Sequence, residues 1–472
     1  MKKGGAELPK DVARRLDALV AAILKDVKPT AGETKAAKRM INEVMGRLKK
    51  ATPKNVEIIL AGSVARGTNV RGNSDIDIFL LFPRSMSKDA IEKKGLQIGK
   101  SIVDAKRNEK YIVKYAEHPY TRIAFMDAGI NTDIVPAYKI RDAKDMGTAV
   151  DRTQLHNKFV NDNMKEVQRD NVRVLKTFFK SHHIYGAEAR IEGFSGYLCE
   201  LLVYHYGSFN NALLELSRLR LPTAIDVLTG ERMTGSGKDA DNLIKKFSKG
   251  FIVIDPTDSN RNVAASVSEE SLARAILTSR NLIADPSKGS FFAKGFSDLN
   301  ASAKIGKIAT EMGVVPYVLY FKLPDIAEDI TWQQLKKLGG RIEESLAANG
   351  FGQMMTLNSI SGRDGLIIFF VREQTLSATV VRGPSVSMGT SVDGFLKAHK
   401  SAMGISLMGD RICAIEKPRY ATQKELIWSF ISDKKVVLPS TLDRKTAKLY
   451  VGKLPEPIGK IVYQAYSEKM SI

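Results

Sequence analysis

At 472 residues the chain is too long for one ordinary domain. Apolar residues make up 43% of it, enough for real cores, and no stretch approaches the ~18 unbroken apolar residues of a membrane-spanning helix. The 72 Lys and Arg against 52 Asp and Glu leave a formal charge of +20, which suits a polyanionic partner because neutralised phosphates release condensed counterions. Two distant cysteines, Cys199 and Cys413, argue against a disulfide framework or a cysteine metal cluster. A charged Met1 to Lys10 without the apolar core of a secretory signal agrees with a cytosolic, cytoplasmic protein.

In chain order, Val12 to Lys50 reads as two helices broken at Lys28-Pro29-Thr30, with Leu16, Leu19 and Val20 striping the first and Ala37, Val44 and Leu48 the second. A strand over Val56–Leu60, a Gly-Ser turn and an apolar run from Asp75 to Phe82 follow, then strands near Arg122–Met126 and Thr132–Val135. These describe an α+β or α/β domain over residues 1–150. Residues 151–285 read as mainly helical: one helix traced by Met164, Val167, Val174 and Phe178, two more over Ser195–Tyr206 and Asn210–Leu219, and a fourth opened by a capping box of Ser266 with Glu269. Residues 286–472 alternate strands (Tyr317–Phe321, Leu366–Val371, Ile412–Ile415) with helices such as Trp332–Ala348. The expected architecture is multidomain α+β.

Chemistry concentrates in Gly62-Ser63-Val64-Ala65-Arg66-Gly67-Thr68 and Asn73-Ser74-Asp75-Ile76-Asp77-Ile78. Side chains on a strand alternate, so Ile76, Ile78, Leu80 and Phe82 share one face and Asp75 with Asp77 the other. Two carboxylates about 7 Å apart along a strand can chelate hard divalent ions. Asp133, interrupting an apolar strand where an unpaired carboxylate is costly, is the candidate third member. Such a trio suits two metal ions, one activating an attacking hydroxyl and one steadying leaving pyrophosphate. Glycine permits close backbone approach, Ser63 offers hydroxyl and amide donors, and Arg66 reaches the same polyphosphate. Thr234-Gly235-Ser236-Gly237-Lys238 departs from a P-loop at Arg232 and Asp239. His182-His183 lacks carboxylate or cysteine partners at zinc-ligand spacing.

The string from Ala61 to Pro83, with Asp133 downstream, resembles the signature of the DNA polymerase β-like nucleotidyltransferase superfamily. Further matches resemble archaeal-type, class I CCA-adding enzymes: Tyr115-Ala116-Glu117-His118-Pro119-Tyr120, Asp133-Ile134-Val135-Pro136-Ala137-Tyr138, Asp151-Arg152-Thr153, Ile184-Tyr185-Gly186-Ala187-Glu188, Gly193 through Leu202, and Asp255-Pro256-Thr257-Asp258 with Arg261-Asn262-Val263. They run in family order through about the first 280 residues; beyond them the match is mainly Lys322-Leu323-Pro324-Asp325-Ile326 and Arg382-Gly383-Pro384.

The resemblance implies a palm-type catalytic domain, a helical nucleotide-binding neck and a tRNA-binding body and tail. It implies two Mg²⁺ ions, with Mn²⁺ as the alternative, on Asp75, Asp77 and Asp133; the first carboxylate is glutamate in some relatives. Ser63, Arg66, His156, Lys176 and Tyr185 fall at nucleotide-binding positions, and Arg261 matches the arginine expected to read the incoming base. The implied substrates are CTP, ATP and the tRNA 3′ end and acceptor stem, and a homodimer follows by family analogy. Lys397, Lys400, Arg411, Lys417 and Arg419 are candidates for the tRNA backbone. Three rivals stay open at this point: a poly(A) polymerase or oligoadenylate-type synthase on the same core, a non-catalytic RNA-binding protein on a decayed core, and an antibiotic-modifying transferase, which would need neither this length nor this charge.

Overall fold

The computed structural model describes residues 7–72, 75–115, 119–126, 129–234, 238–292 and 299–471. Asn73 and Ser74 of the Asp-x-Asp motif, Ala116, Glu117 and His118 of the Tyr115 motif, and the rejected glycine-rich turn at Gly235, Ser236 and Gly237 lie outside the described residues. The chain divides into two compact units, residues 1–294 and 295–471.

The first unit opens with α1 (Lys10–Val27) and α2 (Ala31–Ala51). Pro29 separates them, and Thr30 caps α2 in a reciprocal box with Glu33. Then come β1 (Glu57–Ala61), the single turn α3 (Gly62–Ala65), β2 (Ile76–Phe82), α4 (Lys88–Ser101), β3 (Glu109–Tyr115), β4 (Pro119–Phe125) and β5 (Ile130–Tyr138). They form one sheet in the order β1-β2-β5-β4-β3, with β2 and β5 parallel and the other neighbours antiparallel. Ile76, Ile78, Leu80 and Phe82 are fully buried and share a core with Val44 and Leu48 of α2 and Ile91 and Ile98 of α4, as their alternation predicts. The opposite face is also apolar beyond the aspartates, where Phe79, Leu81, Val135 and Ala137 pack together.

Next are α5 (Thr153–Asn163), α6 (Glu166–Ser181), α7 (Gly196–Tyr206), α8 (Phe209–Ser217), β6 (Thr223–Asp226), β7 (Arg232–Thr234), α9 (Lys238–Phe247), β8 (Phe251–Asp255), β9 (Asp258–Asn262) and α10 (Glu269–Ala284). Helices α1, α6, α7, α8 and α10 bury Phe178, Phe179, Phe194 and Phe209 in one aromatic-rich core. Three expectations need correction. Met164 does not belong to α6: it is the buried, extended residue that ends α5. The cap of α10 is Ser268, whose Oγ accepts from the Ser271 amide, while Ser266 Oγ donates to the Gly193 carbonyl; buried Val267 sets the turn between them. The segment is also less helical than its pattern implied. Strands of three to five residues form a sheet in the order β7-β6-β8-β9.

The second unit contains α11 (Ala301–Glu311), β10 (Val315–Lys322), α12 (Glu328–Ala348), β11 (Gln353–Ser361), β12 (Asp364–Val371), β13 (Thr379–Ser385), α13 (Gly389–Ala398), β14 (Gly404–Met408), β15 (Arg411–Glu416), α14 (Gln423–Ser432), β16 (Lys448–Val451) and α15 (Glu456–Met470). One sheet runs β11-β12-β10-β16 and a smaller one β13-β15-β14. Strand β12 is buried on both faces, between α12 with α14 on one side and α11 with α15 on the other. Cys199 and Cys413 are both free and buried. Among the described residues no helix is long and apolar enough to cross a membrane.

Candidate active site

Register assembles the site. Ala61 of β1 lies opposite Asp77 of β2, Asp77 opposite Asp133 of β5, and Asp133 opposite Arg122 of β4. Two pairs from consecutive strands, joined by the long-range parallel pairing of β2 with β5, therefore form one rung across the sheet, with side chains on one face. Fully buried Ala61 leads into Gly62, whose φ of +73° is costly for any other residue. A Cβ at Gly62 would lie 1.8 Å from Asp77 Oδ2, so the turn passes directly over the carboxylate only because position 62 is glycine.

A cavity of about 510 Å³ opens over this rung, lined among others by Gly62, Arg66, Asp77, Tyr120, Asp133 and His156. Burial, reinforced by the charge of Asp133, pushes the Asp77 carboxyl up to about 6. Asp133 is gripped by Arg122, whose Nε and Nη2 donate to its two oxygens at 2.7 and 2.6 Å. The same Nη2 stands 3.4 Å from Asp75 Oδ2, and Asn131 Nδ2 donates to Asp75 Oδ1 at 3.3 Å. Its hydrogen bond to Asp133 drives the Arg122 guanidinium further up from its already high range.

Among the described residues no three carboxylate, histidine or cysteine side chains converge as a ready metal cage. The donor set nevertheless fits a hard divalent cation. It is all oxygen, its negative charge is undercompensated at Asp77, and the guanidinium bridging Asp75 and Asp133 is a stand-in cation between two of the three.

The predicted nucleotide-binding residues fall into two groups. Ser63 sits half-buried in α3 beside the cavity's Gly62. Arg66 lines the cavity, donates through Nη1 to Asn157 Oδ1 at 2.9 Å, and places Nε 2.9 Å from Glu200 Oε2 as an ion pair. Lys176 is buried rather than solvated. Its Nζ donates to Thr68 Oγ1 at 3.0 Å and lies 3.3 Å from Glu200 Oε1, where burial pulls its ammonium down. Burial would raise Glu200, but Arg66 and then Lys176 hold it below the usual range. Tyr185 flanks Gly196 on the Lys176 side, with burial raising its hydroxyl.

His156 and Arg261 converge elsewhere. His156 lines the cavity, stacks on Tyr197 at 3.7 Å between centroids, and shares a hydrogen bond with Asp255 Oδ2 at 2.9 Å. Arg261 Nη1 donates to that same oxygen at 2.9 Å. Burial lowers the His156 imidazole, against the pull of Asp255. Asp255 is held below the carboxylate range in spite of its burial, chiefly by His156 and Thr257. Sequence reasoning assigned no role to Arg122, Glu200 or Asp255. Glu200 and Asp255 stand inside the motifs at 193–202 and 255–258, and the available signal is a charge set within or at the end of an apolar run.

A parallel strand pair presenting adjacent aspartates beneath a glycine turn, in a cavity carrying arginine and histidine, defines a nucleotidyltransferase. Residues 39–156 match the family described as Nucleotidyltransferase domain, 170–292 match tRNA nucleotidyltransferase, second domain, and 312–449 match CCA-adding enzyme, C-terminal domain. The CCA-adding enzyme of Archaeoglobus fulgidus is 33% identical over 419 residues, covering 89% of this chain and 90% of the relative. That of Methanocaldococcus jannaschii is 34% identical over 397 residues, covering 81% and 84%. The chain belongs to the CCA-adding enzyme family.

Proposed function

We propose that the protein adds C, C and A to the 3′ end of tRNA from CTP and ATP without a nucleic-acid template, and repairs incomplete CCA ends. The observation that carries this reading is the Asp77–Asp133 pair beneath Gly62, in a cavity that also holds Arg66 and His156. Held by Asp75, Asp77 and Asp133, divalent ions (Mg²⁺, or Mn²⁺ in its place) would supply the charge that activates the tRNA 3′-hydroxyl and neutralises the departing pyrophosphate. Arg122 competes for the same Asp133 oxygens and keeps the trio from flying apart before substrate arrives. Arg66, with Ser63 and the Lys176–Tyr185 pair behind it, receives the triphosphate and fixes the α-phosphorus for in-line attack. His156 adds a contact at the cavity wall.

Arg261 reads the base edge as a planar, permanently charged donor. Cytosine and adenine share a ring nitrogen that accepts a hydrogen bond where uracil and guanine carry N–H, so a fixed donor favours both correct nucleotides over both wrong ones. The exposed Lys397, Lys400, Arg411, Lys417 and Arg419 supply phosphate contacts to duplex RNA, which is recognised mainly by shape and charge. In domain terms we assign residues 1–150 to catalysis, 151–285 to nucleotide binding and 286–472 to tRNA.

The test is incubation with tRNA lacking its CCA end, Mg²⁺ and labelled CTP and ATP, with products resolved at single-nucleotide length and Asp77→Ala alongside. Addition that stops at C-C-A and vanishes in the variant is the expected result. A long A tail would replace this reading with that of a poly(A) polymerase, and no incorporation would refute it.

A further inference from the structure

Asp255 touches no wall of the cavity, yet its side chain is completely buried and its two oxygens divide their work. Oδ1 accepts from the Thr257 amide at 2.9 Å, from Thr257 Oγ1 at 2.7 Å and, more distantly, from the Tyr197 hydroxyl at 3.4 Å. Those contacts build the β8–β9 turn. Oδ2 faces the other way and holds His156 and Arg261, each at 2.9 Å. A carboxylate needed only for the turn would be satisfied at Oδ1. Here the second oxygen joins a cavity-lining side chain on α5 to an arginine on β9, and the stacked Tyr197 ring stops His156 from turning away.

We infer that Asp255 is a positioning residue for nucleotide selection: by holding His156 and Arg261 on one oxygen, it fixes the base-reading donor relative to the wall that receives the nucleotide. The inference rests on the roles proposed above for those two residues. A guanidinium on a flexible stem discriminates between bases only if its donor direction is fixed, because a free one re-aims to satisfy either edge. The buried carboxylate supplies that fixity.

Asp255→Asn separates the two functions. Thr257 presents two donors, so the amide oxygen of asparagine turns to Thr257 and its NH₂ faces Arg261 and His156, where it repels the guanidinium, a donor only, and can hold the imidazole only if that ring switches tautomer to accept. Steady-state kinetics with each of the four nucleotides, on tRNA lacking CCA and on tRNA ending in CC, give the readout. For Asp255→Asn we expect KM for CTP and ATP to rise at least tenfold with a smaller fall in kcat. The preference of CTP over UTP and of ATP over GTP should drop at least tenfold. The double variant Asp255→Asn/Arg261→Ala should select no worse than Arg261→Ala alone, because both changes remove one interaction.

Asp255→Glu keeps the charge but moves it by one methylene, and loses selectivity in the same direction; it serves if the asparagine variant does not fold. Wild-type selectivity in either folded variant, or additive losses in the double variant, would overturn the inference. Failure of the wild-type protein to build C-C-A would instead sink the proposed function, which the same gels report separately.

Discussion

Asp77→Asn isolates the electrostatic cost of the site. In the metal-free protein the Asp77 carboxyl titrates at about 6 against an ordinary 3.8, because burial and the neighbouring Asp133 and Asp75 charges oppose its ionisation. An acid whose folded pKa is raised retains its proton in the native state while the unfolded chain has lost it. Stability therefore falls as pH rises through the window from about 4 to about 6 and stays low above it. A displacement of about two pKa units corresponds to about 3 kcal/mol at neutral pH. Asparagine is nearly isosteric and never ionises, so in EDTA the variant should match wild type near pH 4 and exceed it by about 2–3 kcal/mol at pH 7.5. Urea unfolding at both pH values measures this. Adding Mg²⁺ or Mn²⁺ at pH 7.5 should raise wild-type stability and leave the variant nearly unchanged, since ligand binding to the native state stabilises by mass action. Equal stability of the two proteins at pH 7.5 in EDTA would refute the reasoning, and so would a gain equally large at pH 4. The same substitution should abolish nucleotide addition, making the site a place where stability is given up for function.

Much of this site is legible in the sequence because strands alternate. Asp77 interrupts the apolar run of β2 and Asp133 that of β5, and each lies on the face its neighbours predict. What cannot be read is register: that Asp77 stands beside Asp133 follows from pairing between strands remote in the chain, and that Arg122 stands beside Asp133 follows from the offset of the consecutive strands β4 and β5. The buried charges left a weaker trace. Lys176 follows Val172 by four residues and precedes Phe179 by three, on the stripe that α6 buries, so its helical position argued against the solvated fate usual for lysine. Glu200 lies in the nearly all-apolar α7 and is equally out of place on composition. Sheet β7-β6-β8-β9 escaped because its strands are short, and residues 251–254 are a continuous apolar run, which period-two reasoning cannot separate from helix. The hairpin presenting Asp255 and Arg261 was missed with it. Arg261 was found through the motif that contains it, not through the strand that places it.

Two further substitutions probe how backbone and buried charge hold the site. Gly62→Ala imposes a left-handed backbone on alanine, at about 1–2 kcal/mol, and drives a methyl into Asp77 Oδ2; kcat/KM for nucleotide addition should fall at least 100-fold, roughly 3 kcal/mol of transition-state stabilisation, while a thermal melt shows only modest loss, and activity within threefold of wild type would sink the argument. Glu200→Gln removes the one carboxylate shared by Arg66 and Lys176, all three side chains being at most one-tenth exposed. Losing one member of a buried ion pair typically costs about 3–5 kcal/mol, because the remaining charge has neither water nor partner, and denaturant unfolding at pH 7 should show a loss of that size. The sign of its pH dependence is distinctive. Burial already lowers the Lys176 ammonium from its ordinary 10.5, and without Glu200 it falls further, so between the lowered value and the ordinary one the unfolded chain binds the extra proton and the variant regains stability as pH rises through that window. Because Arg66 also lines the cavity, a bound triphosphate supplies the missing negative charge and should raise the melting temperature of the variant by more than that of wild type. A variant as stable as wild type at pH 7, or one that triphosphate stabilises less, would mean that the buried charges do not depend on Glu200 and that the loop from Gly62 to Thr68 is held by packing alone.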